Sequence, residues 1–254
     1  MTNKIFKYIF AAVIVAALLP GCRKTPDAKL KTIGEITVQC PDAVKYLPGF
    51  PSFDDKEAFF NDSLLYRRGQ ELRQTERGHI AVEDAGEDLD FYLARFSKVL
   101  GVTLSKERTP AIAKYIATTI TFTRSGISNA KAAFGRQRPF FYFGEPSGIP
   151  ADENRYGEFS SYPSGHSLRG WAIALALIAI DEEHQYEILK LGYELGENRV
   201  IVGYHFESDV LAARLAASVG FAKITSDEQY IKLMKLARQE LSALSHPKPL
   251  LNKN

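Results

Sequence analysis

The chain has 254 residues, of which 45% are hydrophobic and 24% charged, the balance of an ordinary globular domain and not of a disordered chain. Its 32 Lys and Arg face 30 Asp and Glu, and Lys4 and Lys7 are the only charges before Cys22. The rest is neutral overall, which excludes the basic surface that nucleic acid requires, and no later apolar run reaches the ~18 residues of a membrane span.

Residues 1–21 combine those two lysines, the apolar run Tyr8–Leu19, and Pro20-Gly21 ahead of Cys22. That is the layout of a signal peptide, not of a spanning helix. Leu19-Pro20-Gly21-Cys22 resembles a bacterial lipobox, with Pro20 its one irregular residue. The resemblance implies cleavage before Cys22, lipidation of its sulfur, and a lipid anchor on the periplasmic side of a bacterial membrane. Cys40 is the only other cysteine, so an acylated Cys22 leaves it without a partner within the chain. With no CxxC pair, a thiolate zinc site within one chain is excluded.

Residues 22–45 read as a tether, polar and without periodicity from Arg23 to Gln39. Val44–Pro51, with two prolines, reads as an extended segment on the domain. A single domain over residues 46–244 follows, and almost all of its pattern is helical. Glu57–Arg73 places Phe59, Phe60, Leu64 and Leu65 at helical spacing, and Ile80–Leu100 continues with Phe91, Leu93, Phe96 and Val99. Pro110 suits the first turn of a helix running to about Phe134. Phe140–Tyr162 is rich in Gly, Pro and aromatic residues and is long for a mere connection, which marks a functional loop. Its run Phe140–Phe143 either shapes a ligand preference or packs. Ser167–Ile180 is apolar almost all round and predicts a buried helix. Glu183–Leu195 is amphipathic, with Gly196 suited to its end. Phe206–Val219 carries Ala212, Ala213, Ala216 and Ala217, small enough for close helix packing, and Ser226–Leu244 is a last amphipathic helix. Residues 245–254 are a tail. The fold class is all-α, a single-domain helical bundle.

Three segments carry chemistry. In Lys131-Ala-Ala-Phe-Gly-Arg-Gln-Arg138-Pro139 the two outer cations are seven apart, on one face if the helix continues, and suit an oxyanion. A solvated basic face is the bland alternative. Ser161-Tyr-Pro-Ser164-Gly165-His166-Ser167 leads into the apolar helix, so free N–H groups at its start form a ready anion site, and His166 could protonate a leaving oxygen. A simple N-cap with a packed histidine reads equally well. In Asn198-Arg199-Val-Ile-Val-Gly-Tyr-His205-Phe-Glu-Ser-Asp209, His205 and Asp209 are four apart, and a carboxylate on one ring nitrogen leaves the other as a nucleophile. A structural His–Asp pair would look the same. Glu207 reads as exposed decoration, and His79, His184 and His246 match no motif.

Together, K-x6-R-P, P-S-G-H and R-x5-H-x3-D resemble the signature of the type 2 phosphatidic acid phosphatase superfamily, which also contains vanadium haloperoxidases. Ala58-Phe-Phe-Asn-Asp62, Glu71-Leu-Arg-Gln-Thr-Glu-Arg-Gly78, Glu83-Asp-Ala85 and Ala212-Ala-Arg214 extend the likeness to bacterial class A non-specific acid phosphatases, from about Tyr46 to Leu244. Asn198 stands where that family usually has Ser. A modest effect on the placement of Arg199 is expected, since Asn also donates and accepts.

The resemblance implies an acid phosphatase that hydrolyses small phosphate monoesters without cofactor or metal. His205 would be the nucleophile that forms a phosphohistidine, Asp209 its orienter, and His166 the acid and then the base. Lys131, Arg138, Ser164, Gly165 and Arg199 would hold the phosphate. Family members often form homo-oligomers. A vanadium-dependent haloperoxidase or a lipid phosphatase on the same site is the enzymatic alternative. A phosphate-binding lipoprotein is the non-enzymatic one, disfavoured because binding needs neither a nucleophile nor an acid.

Overall fold

A computed structural model describes residues 30–245. The expected signal peptide and lipidation site Cys22, His246 and the tail beyond Ser245 lie outside the described residues. No strand occurs among those described, in agreement with the all-α expectation, and no described helix is long and apolar enough to cross a membrane.

The helices run in the order α1 (Lys56–Leu72), α2 (Glu76–Glu83), α3 (Leu89–Leu100), α4 (Pro110–Gly126), α5 (Ala130–Phe134), α6 (Pro139–Phe143), α7 (Gly165–Ile178), α8 (Gln185–Ile201), α9 (Glu207–Ile224) and α10 (Glu228–Ser245). Short side chains set most of their starts. Asp55, Thr75, Asp88 and Ser164 each accept a first-turn backbone N–H, of α1, α2, α3 and α7 respectively, and Pro110 occupies the first turn of α4.

The apolar helix is central, as its composition predicts. α7 lies against α4, α8 and α9. Leu168 and Ala172 meet Ala212, Ala213, Ala216 and Ala217 of α9, while Ile173 and Leu177 join Phe96, Ile112, Ile116, Leu195 and Leu233 in the main core. Each large side chain fully buried there contributes about 2–3 kcal/mol. This packing leaves the N-terminus of α7 fixed in the middle of the molecule, beside the start of α9.

Several boundaries differ from the sequence reading. The segment Ile80–Leu100 is two helices, because Asp84 closes α2 and the Asp88 carboxylate caps α3 by accepting from the Phe91 N–H at 2.7 Å. The run from Pro110 to Phe134 breaks after Gly126. Helix α8 passes through Gly196 to Ile201. That glycine serves close approach and not termination: a Cβ there would sit 2.8 Å from Val210 Cγ1 and 2.9 Å from Arg214 Nη2. The loop after Pro139 contains α6 and a short 3₁₀ turn, Pro150–Arg155. Residues 30–45 are less free than a tether. Leu30, Ile33, Ile36 and Val38 pack on the core, and the Asp227 carboxylate accepts from both the N–H and the hydroxyl of Thr37 at 2.8 Å.

Candidate active site

Lys131 and Arg138 come together, but not along one helix face. α5 ends at Phe134 because Gly135 turns left-handed, with φ +59°, and Arg138 is extended at the start of α6. What unites the two cations is Ser160. Its carbonyl accepts from Lys131 Nζ and, at 3.0 Å, from Arg138 Nη2, and its hydroxyl accepts from Arg138 Nε at 3.1 Å. The loop that the sequence marked as functional thus holds the cations.

The second segment opens α7 as expected. The Ser164 N–H donates to the Asp209 carbonyl at 3.1 Å, which ties this helix start to the third segment. The Ser164 hydroxyl is occupied as the cap, accepting from the Ser167 N–H and hydroxyl, and it does not line the cavity. The first-turn N–H groups of Gly165 and His166 have no partner within the helix, and both residues line the cavity. His166 lines the cavity, is 4% exposed, and has no hydrogen-bond partner on either ring nitrogen.

His205 and Asp209 meet by a different route from a shared helical face. His205 precedes the cap of α9, and Asp209, in the first turn, reaches back to it. Asp209 Oδ2 accepts from the Phe206 N–H at 2.9 Å and lies 3.3 Å from His205 Nδ1. The same carboxylate accepts from Ser161 Oγ and Arg136 Nη1, both at 2.6 Å. His205 Nε2 lies 3.3 Å from Arg138 Nη1. With the ring proton on Nδ1 toward Asp209, Nε2 presents a lone pair to the cavity.

Burial and the Arg138 charge pull His205 down to about 3, against the opposing pull of Asp209. Burial, then Arg199 and Arg169, hold His166 well below the usual imidazole range. Burial opposes ionisation of Asp209, yet Arg136 and the His205 and Ser161 hydrogen bonds outweigh it and keep the carboxylate charged. Burial and the neighbouring Arg138 lower Lys131 to about 7.

Arg199 is fully buried at the end of α8, donating Nη2 to the carbonyls of Ala81 at 2.9 Å and Asp84 at 3.3 Å, with Nε unpartnered. Asn198 braces the same corner. Its Nδ2 donates to Asp84 Oδ2 at 2.8 Å and its Oδ1 accepts from Arg77.

Lys131, Arg138, Gly165, His166, Arg199 and His205 line one cavity of about 310 Å³. Arg124, Arg155, Arg169, Tyr156 and Glu87 line it too, and sequence reasoning missed them because they lie outside the three motifs. It also missed Arg136, although that residue stands between Lys131 and Arg138. Among the described residues, no group of three or more His, Cys, Asp or Glu side chains is placed to hold a metal ion.

One other reading changes and one open alternative is decided. Glu207 is not exposed decoration: it is largely buried beside Arg214, and burial raises it to about 7. Phe140, Tyr142 and Phe143 pack and do not line the cavity, with Tyr142 stacked on Phe53 and Phe143 on Tyr66, while Phe141 is exposed. His184 pairs with Asp181 at 3.0 Å, away from the cavity.

Comparison with known proteins gives the family. Residues 112–230 match the PAP2 superfamily model. The chain is 36% identical over 232 residues to a non-specific acid phosphatase of Providencia stuartii, covering 91% of this chain and 92% of the relative. It is 33% identical to one from Salmonella typhimurium, over 78% and 79% of the two chains. It is 31% identical to an acid phosphatase of Zymomonas mobilis, over 71% and 69%. With motif, helical fold and relatives in agreement over most of its length, this chain belongs to the PAP2 superfamily, among its acid phosphatase relatives.

Proposed function

We propose that this protein is a metal-independent acid phosphatase that hydrolyses phosphate monoesters through a phosphohistidine on His205. The observation that carries the reading is the pair of contacts on one ring: Nδ1 toward Asp209 and Nε2 toward Arg138 at the cavity. His205 Nε2 attacks phosphorus while Asp209 stabilises the cation that develops on the ring. Lys131, Arg138, Arg199 and the Gly165 N–H neutralise the phosphoryl oxygens, where charge builds in the transition state. His166 gives its proton to the leaving oxygen and afterwards takes one from the attacking water. In-line displacement requires the two histidines on opposite sides of phosphorus.

The acidic character follows from His166. Its neighbours Arg199 and Arg169 disfavour its protonation in the free enzyme. A bound phosphoryl dianion offsets those charges and raises the imidazole, so the acid form is populated in the complex and at low pH. In the free enzyme His205 stays neutral to much lower pH, because burial and Arg138 hold it near 3.

The decisive experiment is rapid quenching with 32P-labelled aryl phosphate in EDTA. Undiminished turnover and a covalent label that survives alkali but not acid are expected. Loss of turnover in EDTA, or no label on an enzyme that turns over, overturns the reading. Export and anchoring through a lipidated Cys22 belong to the same proposal, with mass spectrometry of the membrane fraction as their test.

The pH dependence of binding provides a separate prediction. Lys131 loses its charge as pH rises through about 7. KM is therefore expected to climb above pH 7, approaching about tenfold per pH unit, with kcat less affected. Lys131→Arg keeps its charge over that range and is expected to flatten the climb. Steady-state kinetics from about pH 5 to 9 check it.

A further inference from the structure

The cavity carries more positive charge than one phosphoryl group needs. Six cations line it: Lys131, Arg138 and Arg199 of the cradle, and Arg124, Arg155 and Arg169 beyond it. The only carboxylate in its lining is Glu87. Arg155 is answered by Asp152 on its own turn, at 3.3 Å. Arg169 is paired too, with Glu87 at 3.4 Å, whereas Arg124 has only the longer-range field of that same carboxylate. Glu87 also accepts from the Tyr156 hydroxyl at 2.9 Å, so this one carboxylate serves Arg169 and Tyr156 in contact and Arg124 at longer range. The charge of Arg169 disfavours that of Arg124, second only to burial.

Position gives this pair its meaning. Arg169 is one helical turn after Gly165 and His166 on α7, and therefore on their face. Arg124 closes the last turn of α4, and Ser128 of the next turn also lines the cavity. On the side of the group that protonates the leaving oxygen, two cations thus have one carboxylate between them, in contact with Arg169 alone.

We propose that Arg124 and Arg169 form a second anion subsite on the leaving-group side, so that favoured substrates are phosphate monoesters whose leaving group carries a phosphate of its own. The inference rests on the assignment of His166 as the acid. In the reaction, the His205 Nε2–P bond forms and the P–O bond to the leaving group breaks. The electron pair goes to the leaving oxygen, which takes the His166 proton, and the group departs with its own phosphate intact. Water then attacks phosphorus and gives a proton to His166. The N–P bond breaks and inorganic phosphate is released.

The test compares propyl phosphate with 1,3-propanediol bisphosphate at low ionic strength. Wild type is expected to favour the bisphosphate by about tenfold in kcat/KM, mostly through KM, beyond the twofold that two equivalent esters give. Arg124→Gln, an exposed position that should not disturb folding, is expected to reduce that ratio at least threefold, and Arg169→Gln likewise. A ratio of two or less in wild type, or a ratio unchanged by Arg124→Gln, overturns the subsite while propyl phosphate turnover leaves the phosphatase reading standing. If neither ester turns over, the phosphatase reading fails. Calorimetry then decides the subsite alone: pyrophosphate should bind at least tenfold tighter than phosphate in wild type and lose that margin in Arg124→Gln. Equal affinities in wild type overturn it.

Discussion

Replacing His205 by alanine is expected to lower kcat by about 10⁴-fold or more, whatever the leaving group, because the variant has no atom to take the phosphoryl group. His166→Ala is expected to behave differently. In the phosphorylation step, which kcat/KM reports, its proton matters only where the leaving oxygen is basic, so the loss in kcat/KM should be small for a nitrophenyl ester and grow toward about 10²–10⁴-fold for an alkyl phosphate. The slope of log kcat/KM against leaving-group pKa therefore separates the two roles. A steep slope is expected in His166→Ala and an unchanged slope in His205→Ala at its residual rate. Both side chains are nearly fully buried, so thermal unfolding must accompany the kinetics. The free imidazoles are held neutral by burial and nearby cations, and removing either is not expected to leave an uncompensated charge. If His205→Ala retained turnover, the nucleophile would lie elsewhere. If the losses in kcat/KM of His166→Ala were equal for every leaving group, it would not be the acid.

The all-α architecture was legible in the sequence because its periodicity is strong where burial is deep. Ser167–Ile180 reads as a buried helix, and α7 is the helix around which α4, α8 and α9 pack. Local breaks were less visible. Asp84 and Asp88 interrupt a pattern whose apolar spacing continues across them, and capping, not hydrophobicity, decides there. Gly196 looked like a helix end, but its reason is the side chain of Val210 from another helix, which no local rule contains. The candidate site shows the same division. His166, His205, Arg138, Lys131 and Arg199 were legible because their chemistry is unusual at that spacing. The means by which they meet were not. Lys131 and Arg138 converge on one carbonyl of a distant loop, and Asp209 reaches His205 from a helix cap. Arg124, Arg169 and Glu87 come from three separate segments, and only the fold shows that they share a cavity with the motifs.

Arg136 is the residue whose loss should be felt most widely. It is fully buried, and its guanidinium joins three pieces of chain. Nη2 donates to Asp62 of α1 at 2.7 Å, and Nη1 donates to Ser208 Oγ and Asp209 Oδ1, both at 2.6 Å. The Phe206 ring lies 4.2 Å beneath it. Arg136→Met fills similar space but strands two buried carboxylates, and a destabilisation of about 3–5 kcal/mol is expected in urea unfolding. Adding Asp62→Asn removes one stranded charge and should recover part of that stability. It should not recover the chemistry, because Asp209 would still lack the cation that keeps it ionised. In wild type its carboxyl is held well below the usual range, so its charge persists through acidic pH. Without Arg136, burial raises that carboxyl, and protonation of Asp209 begins at higher pH as the solution is acidified. A protonated Asp209 no longer stabilises the cation on His205, so the acid limb of kcat should move to higher pH. Below it, activity should fall by about 10²-fold or more. Arg136→Lys keeps a charge but loses the fork and should fall between. A merely structural arginine would lower stability without moving that limb; an unmoved pH profile in the Arg136→Met, Asp62→Asn pair would restrict Arg136 to holding the fold.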